Sequence, residues 1–224
     1  MKSKNPKDIV RTGYDRVSTA YRGASLDPAD PDFIKYDGWV NELSALLSPG
    51  AQLLDVGCGN GVPVDQLFIR AGFQVTGVDF SPVQIERART LVPSAVFFCE
   101  DITGMGFPPG SFSAVVSFYA IIHIPLEEQP DLFKRIRNWL KPGGYLMVIV
   151  GDDRWTGIED SYLGVDGGQM YWNHADKDTY LRWLSELGYR VLWNRFVPEG
   201  SSGHTLILAR KEQSADPRKC AADE

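Results

Sequence analysis

The stretch that most constrains this chain is Leu53-Leu54-Asp55-Val56-Gly57-Cys58-Gly59-Asn60-Gly61, an apolar run holding one acid that opens onto three glycines spaced two apart. Such a run reads as a short strand buried on both faces, which in a globular domain means a parallel sheet. The glycines permit positive φ and close backbone approach in the turn that follows, and a helix is expected to start at Val62. A turn of this kind presents free backbone N–H groups at a helix N-terminus, a place to hold a polar or anionic group. Further on, Val75-Thr76-Gly77-Val78-Asp79-Phe80-Ser81 reads as a second buried strand ending in an acid, at the separation where a ribose hydroxyl pair is bonded in dinucleotide-type sites.

From residue 51 the pattern alternates strands and helices: strand 52–56, helix 62–71, strand 74–79, helix 81–91, strands 95–99 and 112–118, helix 126–139 and strand 144–150. Alternation of this kind predicts an α/β fold, a mostly parallel sheet with helices on both faces. Residues 151–174 form a Gly- and aromatic-rich insert, too long for a simple turn. Helix 176–187 and strands 189–197 and 204–210 follow. The short connection Pro198–Gly203 makes the last two strands an antiparallel pair. Ahead of this core, residues 1–48 hold two amphipathic helices, at 6–22 and 31–47, joined by the Gly-containing loop 22–28. A core over 49–210 is therefore expected between an N-terminal helical cap and a polar tail, 211–224, that offers nothing to bury and is expected to be disordered.

The 224 residues suit one such domain, and the formal net charge of −6 argues against a broad basic surface for nucleic acid. Cys58, Cys99 and Cys220 are an odd number without paired spacing and read as reduced thiols in a cytoplasmic setting. The longest apolar stretches are too short to span a bilayer, and no signal-peptide core follows Met1, so a soluble protein is expected.

Four pieces, in this order and at this spacing, resemble the class I S-adenosylmethionine-dependent methyltransferases: Leu53 to Gly61, Val75 to Ser81, Cys99-Glu100-Asp101-Ile102, and Leu140-Lys141-Pro142-Gly143-Gly144-Tyr145-Leu146. The resemblance covers roughly residues 50–151. A dehydrogenase fingerprint reads Gly-x-Gly-x-x-Gly, whereas here the third glycine comes one residue early. The resemblance implies a Rossmann-like sheet of seven strands with the last one inserted antiparallel, and S-adenosylmethionine as cofactor. It implies that Gly57-Cys58-Gly59 wraps the cofactor's amino-acid end, with Asp55 binding or orienting it, or else capping the loop's own N–H groups. Asp79 is implied to take the ribose hydroxyls and Phe80 to lie against the adenine. Asp101 is implied to accept the adenine amino group while the Ile102 backbone reads a ring nitrogen. Ser117 and Phe118 are implied to close over the sulfonium through a backbone carbonyl and an aromatic wall, and the N-terminal segment with Tyr14 and Tyr21 to form a lid.

The acceptor is narrowed by absences relative to the family. Ser117-Phe118-Tyr119-Ala120 stands where nucleic-acid amino methyltransferases carry an Asn/Asp-Pro-Pro-Tyr signature, and 113–125 has no carboxylate for a catechol-type metal. The two-glutamate loop and appended barrel of protein arginine methyltransferases are missing too. A small metabolite of natural-product type, acted on by a monomer or homodimer without metal, is therefore expected. Trp155, Tyr162, Tyr171 and Trp172 of the insert would wall an aromatic acceptor. For a hydroxyl acceptor the candidate bases are His123 and His174; His204, at the start of a strand, is expected to lie far from the site. The competing readings are a non-catalytic cofactor-binding partner subunit and a nicotinamide oxidoreductase.

Overall fold

The computed structural model describes residues 5–212. Two helices come first. Helix α1, Pro6–Tyr21, is capped by the Asn5 side chain and has Pro6 in its first turn. Helix α2, Pro31–Ser44, repeats the device with Asp30 and Pro31. The core then runs β1 (Gln52–Val56), α3 (Val64–Arg70), β2 (Gln74–Asp79), α4 (Pro82–Leu91), β3 (Val96–Cys99), β4 (Phe112–Ser117), α5 (Gln129–Trp139) and β5 (Leu140–Gly151). It continues with β6 (Trp155–Glu159), β7 (Met170–His174), α6 (Lys177–Glu186), β8 (Tyr189–Glu199) and β9 (Ser202–Lys211).

Seven strands form one sheet in the order β3-β2-β1-β4-β5-β9-β8. Neighbours from β3 to β5 are parallel, and β9 enters between β5 and β8, antiparallel to both. The apolar runs read as two-sided strands are two-sided. Leu54, Val115, Leu146, Val148 and Ile207 pack on one face beneath α5 and α6, with Phe133, Ile136 and Tyr180. Leu53, Ala114, Val116, Met147, Ile149, Leu206 and Leu208 pack on the other, beneath α2 and α3, with Trp39, Leu43 and Phe68. Adjacent residues thus face opposite layers, the period of 2 that a pleated strand imposes.

Several boundaries differ from the sequence expectation. The insert 151–174 is more ordered than its composition implies. Its ends form the two-stranded β6–β7 ribbon, in which Trp155 pairs with His174 and Glu159 with Met170; the Gly-rich middle hid the alternation. Helix α5 begins at Gln129, because residues 121–123 form a separate 3-10 turn. The final hairpin is longer at its turn, since β8 reaches Glu199 and β9 starts at Ser202. The expected disordered tail lies outside the described residues from 213 onward, while Lys211 still belongs to β9. No helix among the described residues is long and apolar enough to cross a membrane.

Gln129, fully buried at the start of α5, joins three of these pieces. Its Nε2 donates to the carbonyls of Ile121, Ile124 and Asn173, and its Oε1 accepts from the Tyr180 hydroxyl at 2.7 Å. The loop after β4, strand β7 and helix α6 are tied to one side chain.

Candidate active site

A cavity, open to solvent at one side, lies beyond the carboxyl ends of β1, β2 and β4, where open α/β sheets bind ligands. Of the residues singled out by sequence, Tyr14, Tyr21, Gly57, Gly59, Asp79, Phe80, Asp101, Ile102, Phe118 and His123 line it. Asp55 and Cys58 line an adjoining groove that shares Tyr21, Gly57, Gly59 and Phe118 with it. Ser117 does not reach the cavity with its hydroxyl, which is buried and donates to the Val56 carbonyl, bracing β4 on β1.

The β1–α3 turn is built as its glycines demand: Gly57, Gly59 and Gly61 all have positive φ. A Cβ on Gly57 would press on Ala120, whereas one on Gly59 would enter open space. The Gly59 N–H donates to one oxygen of Asp79 at 3.0 Å and the Ser81 N–H to the other at 2.9 Å. Burial pushes the Asp79 carboxyl up to about 6, although those two N–H groups favour the charged form.

Below the turn, Asp55 and Asp65 are 4% and 0% exposed, and apart from Asp55 no polar group among the described residues reaches either oxygen of Asp65. Burial raises both carboxyls, Asp55 to about 7 and Asp65 well above its ordinary value. Two carboxyls facing each other out of water retain a proton between them, so Asp55 is held by Asp65 rather than by the loop. Asp65 carries no sequence signal beyond its place in the first turn of a helix.

Helix α1 closes the cavity from above. Gly13 lies so close to the strap after β6 that an added Cβ would meet the Gln169 carbonyl oxygen at 2.0 Å. Ser18 bonds Gln84, Arg87 donates to the Ser18 and Arg22 carbonyls, and Asp15 accepts from Ser81. At the other end Lys7 bonds Asp101 at 2.8 Å, Thr103 and Glu128. Sequence reasoning missed Lys7, whose partners are about a hundred residues away and leave no local pattern. Because Asp101 is also the residue implied to contact adenine, Lys7 couples the helix to the cofactor end of the cavity. Amide exchange of residues 6–21 is expected to slow when S-adenosylhomocysteine is added, and Lys7→Ala to speed it in both states. Equal protection with and without ligand would make α1 a fixed part of the fold.

The histidines are placed differently from their sequence expectation. His123 is buried, and its Nδ1 faces the Tyr171 carbonyl at 2.7 Å. A carbonyl only accepts, so Nδ1 carries the proton and Nε2 accepts from the Tyr14 hydroxyl at 3.1 Å. Burial pulls the His123 imidazole down to about 4. A neutral ring whose lone pair is already taken is a latch for Tyr14 rather than a ready base. His174 does not line the cavity; its Nδ1 faces the Asp153 carbonyl at 2.8 Å, fastening β7 to the end of β5. His204, expected to be remote, packs edge-on against the cavity residue Tyr119 with ring centroids 5.6 Å apart, and stacks on Trp172 at 6.3 Å. It arrives there because β9 enters the middle of the sheet, which its position in sequence does not show.

Comparison with known proteins agrees with this geometry. Residues 53–144, less than half of the chain, match the family described as methyltransferase domain. A 2-methyl-6-phytyl-1,4-hydroquinone methyltransferase of Synechocystis is 41% identical over 111 residues, 48% of this chain and 34% of that protein. The chain therefore spans about a third of that relative. Among solved structures, a magnesium protoporphyrin IX methyltransferase from Synechocystis with bound cofactor superposes with a TM-score of 0.70 over 95% of this chain and 100% of the other, at 17% identity. The cyclase SpnF superposes at 0.69 over 91% of this chain and 95% of its own, at 20% identity. At these identities the likeness is one of fold. Residues 53–144 are similar to a methyltransferase domain, and the sheet that carries them has the fold of these solved methyltransferase structures.

Proposed function

We propose that this protein transfers a methyl group from S-adenosylmethionine to a hydroxyl or amine of a small aromatic metabolite, without metal. The observation that carries the cofactor reading is Asp79, fixed by two backbone N–H groups at the cavity wall beside the open face of Gly59. The cavity fits the group. Phe80, Ile102 and Val10 supply an apolar slot for a flat base, and Asp101 stands at its end. Gly59 leaves room for close approach to the backbone, and Phe118 walls the inner side. The Asp55 carboxylate, braced by Asp65, is the acid next to the turn.

When bound, S-adenosylmethionine supplies an activated methyl carbon, so the protein needs chiefly to align the acceptor and keep water out. Tyr14, held on His123, and Tyr21, 5.3 Å from it ring to ring, form the cover that does the second. The aromatic residues of β6, β7 and their connection support an aromatic acceptor, with Trp172 next to His123, Trp155 and Tyr162. The second reading is a non-catalytic cofactor-binding protein, since a fold shared with a cyclase as well as with methyltransferases does not settle a reaction. Titration calorimetry tests the proposal. Heat is expected with S-adenosylmethionine and S-adenosylhomocysteine and none with NAD, followed by methylation of at least one member of a panel of phenols and aromatic amines. Binding of NAD alone would overturn the cofactor assignment, and binding without turnover of any acceptor would favour the non-catalytic reading.

A further inference from the structure

At the end of the sheet opposite the cavity, cations gather in a chain whose formal net charge is −6. A concavity lined by Gly143, Arg190, Arg210, Lys211 and Glu212 lies there, near the starts of β5 and β8 and the end of β9. Arg190 and Arg210 stand directly opposite each other across β8 and β9, and like charges so placed destabilise a sheet. Neither they, nor Lys211, nor the neighbouring Arg137 has a carboxylate partner among the described residues, whose ion pairs lie elsewhere. The cations are nonetheless held in place. Arg210 Nε donates to the Gly143 carbonyl at 3.0 Å, and its guanidinium lies 5.6 Å from the centre of the Tyr145 ring. Lys211 Nζ donates to the Leu140 carbonyl at 2.7 Å. Arg137 runs along Gly188, where an added Cβ would come within 3.1 Å of its Nη2, and its Nε is buried without a hydrogen-bond partner among the described residues. A carbonyl or a ring fixes a cation without neutralising it. Burial, and after it Arg137, holds the Lys211 ammonium below its ordinary value, the direction expected where positive charge is crowded and uncompensated. Sequences accept such local conflict chiefly at functional sites.

We infer that Arg190, Arg210 and Lys211 form an anion site that takes the diphosphate group of a small molecule. The lining sets these cations against Glu212, so a multiply charged anion matches it better than a single carboxylate does. The planar guanidinium forks of the arginines suit phosphoryl oxygens, which they bond in pairs, and Lys211 adds a point charge. Arg137 strengthens the field from the Lys211 side. The site is independent of the methyl-transfer reading, since it lies at the opposite end of the sheet from the cofactor cavity and shares no residue with it.

The test is titration calorimetry of the full chain with inorganic diphosphate and, separately, with ADP, at near-physiological salt and without divalent metal. Wild type is expected to bind diphosphate. Arg190→Gln and Arg210→Gln should each weaken it by about tenfold or more, Arg190→Lys by less than Arg190→Gln, and Glu212→Gln should tighten it severalfold. Arg154→Gln, at the cavity end of the sheet, should leave it unchanged. Equal affinity for the two probes supports a site that reads the phosphate chain alone, and tighter binding of ADP supports a nucleotide as its source. Thermal melting is the second readout. Without ligand, Arg190→Gln should melt at or above wild type, because one of two repelling charges is gone, and diphosphate should raise the midpoint of wild type but not of this variant. Absence of binding of both probes to wild type overturns the inference. So does an adventitious ion only, shown by equal losses in Arg190→Gln and Arg154→Gln or by acetate competing as well as diphosphate. A lowered midpoint in unliganded Arg190→Gln overturns it too, since the two arginines would then not be in conflict.

Discussion

Gln129→Ala is expected to destabilise the protein by about 3–5 kcal/mol, the largest effect of any single polar substitution in this fold. Gln129 donates to three buried carbonyls and accepts from the Tyr180 hydroxyl, which in turn accepts from the Ala175 N–H. Truncation strands these groups out of reach of water, and each unpaired group costs about 1–3 kcal/mol before relaxation or an entering water recovers part of it. In denaturant titration the midpoint should drop with an unchanged slope, and the melting temperature should fall by roughly 6–20 °C. Gln129→Glu is expected to behave almost as badly, because a carboxylate has no N–H to give. A loss under about 1 kcal/mol in both variants would show that the three carbonyls find other partners.

Asp79→Ala is expected to weaken S-adenosylhomocysteine binding by about 1–3 kcal/mol, roughly five- to a hundred-and-fifty-fold, because the ribose hydroxyls lose a charged acceptor fixed by Gly59 and Ser81. The pH dependence separates this role from a structural one. Burial lifts the Asp79 carboxyl to about 6, above its unfolded value, so the proton is retained to a higher pH than usual. The charged acceptor is present above that value and is lost as pH falls through it. The Asp79 contribution to affinity should therefore be constant on the alkaline side of pH 6 and decline on the acid side. In Asp79→Asn the decline attributable to this group should vanish, leaving only what the Asp55–Asp65 pair contributes at higher pH. An unchanged acid limb in Asp79→Asn would move the ribose contact to another residue.

The parallel core was legible because its strands are apolar on both faces and its turns are marked by glycines. Leu53 to Gly61 and Val75 to Ser81 fall where they were read. Cavity residues directly after these strands, Asp79, Phe80, Asp101 and Phe118, were legible for the same reason, since topology alone places them at the sheet's carboxyl edge. What escaped depends on contacts distant in sequence. Lys7 meets Asp101 and Glu128 only once α1 folds over the core. Asp65 faces Asp55 only through the packing of α3 under β1. His123 looked like a base from its residue type, and only the Tyr14 and Tyr171 contacts reveal a ring kept neutral and occupied. His204 was assigned to the periphery although its strand was expected to insert antiparallel, because only the fold brings the start of β9 against Tyr119 and Trp172.

That strand order has a consequence for how the molecule is made. β9 occupies the interior of the sheet, yet it is the last of the described strands to leave the ribosome. Until it emerges, the edge of β5 from Leu146 to Val150 is an unpaired row of apolar residues, all of them 0% exposed in the finished fold. The two strands are separated by the stretch from Gly151 to Ser202, which takes on the order of 3–10 s to synthesise. During that interval the nascent protein carries an open, sticky edge, with the β6–β7 ribbon, α6 and β8 as the newly made segments that can shade it. The same late strand delivers His204 to Tyr119, so the packing behind that cavity residue cannot assemble before the sheet is sealed.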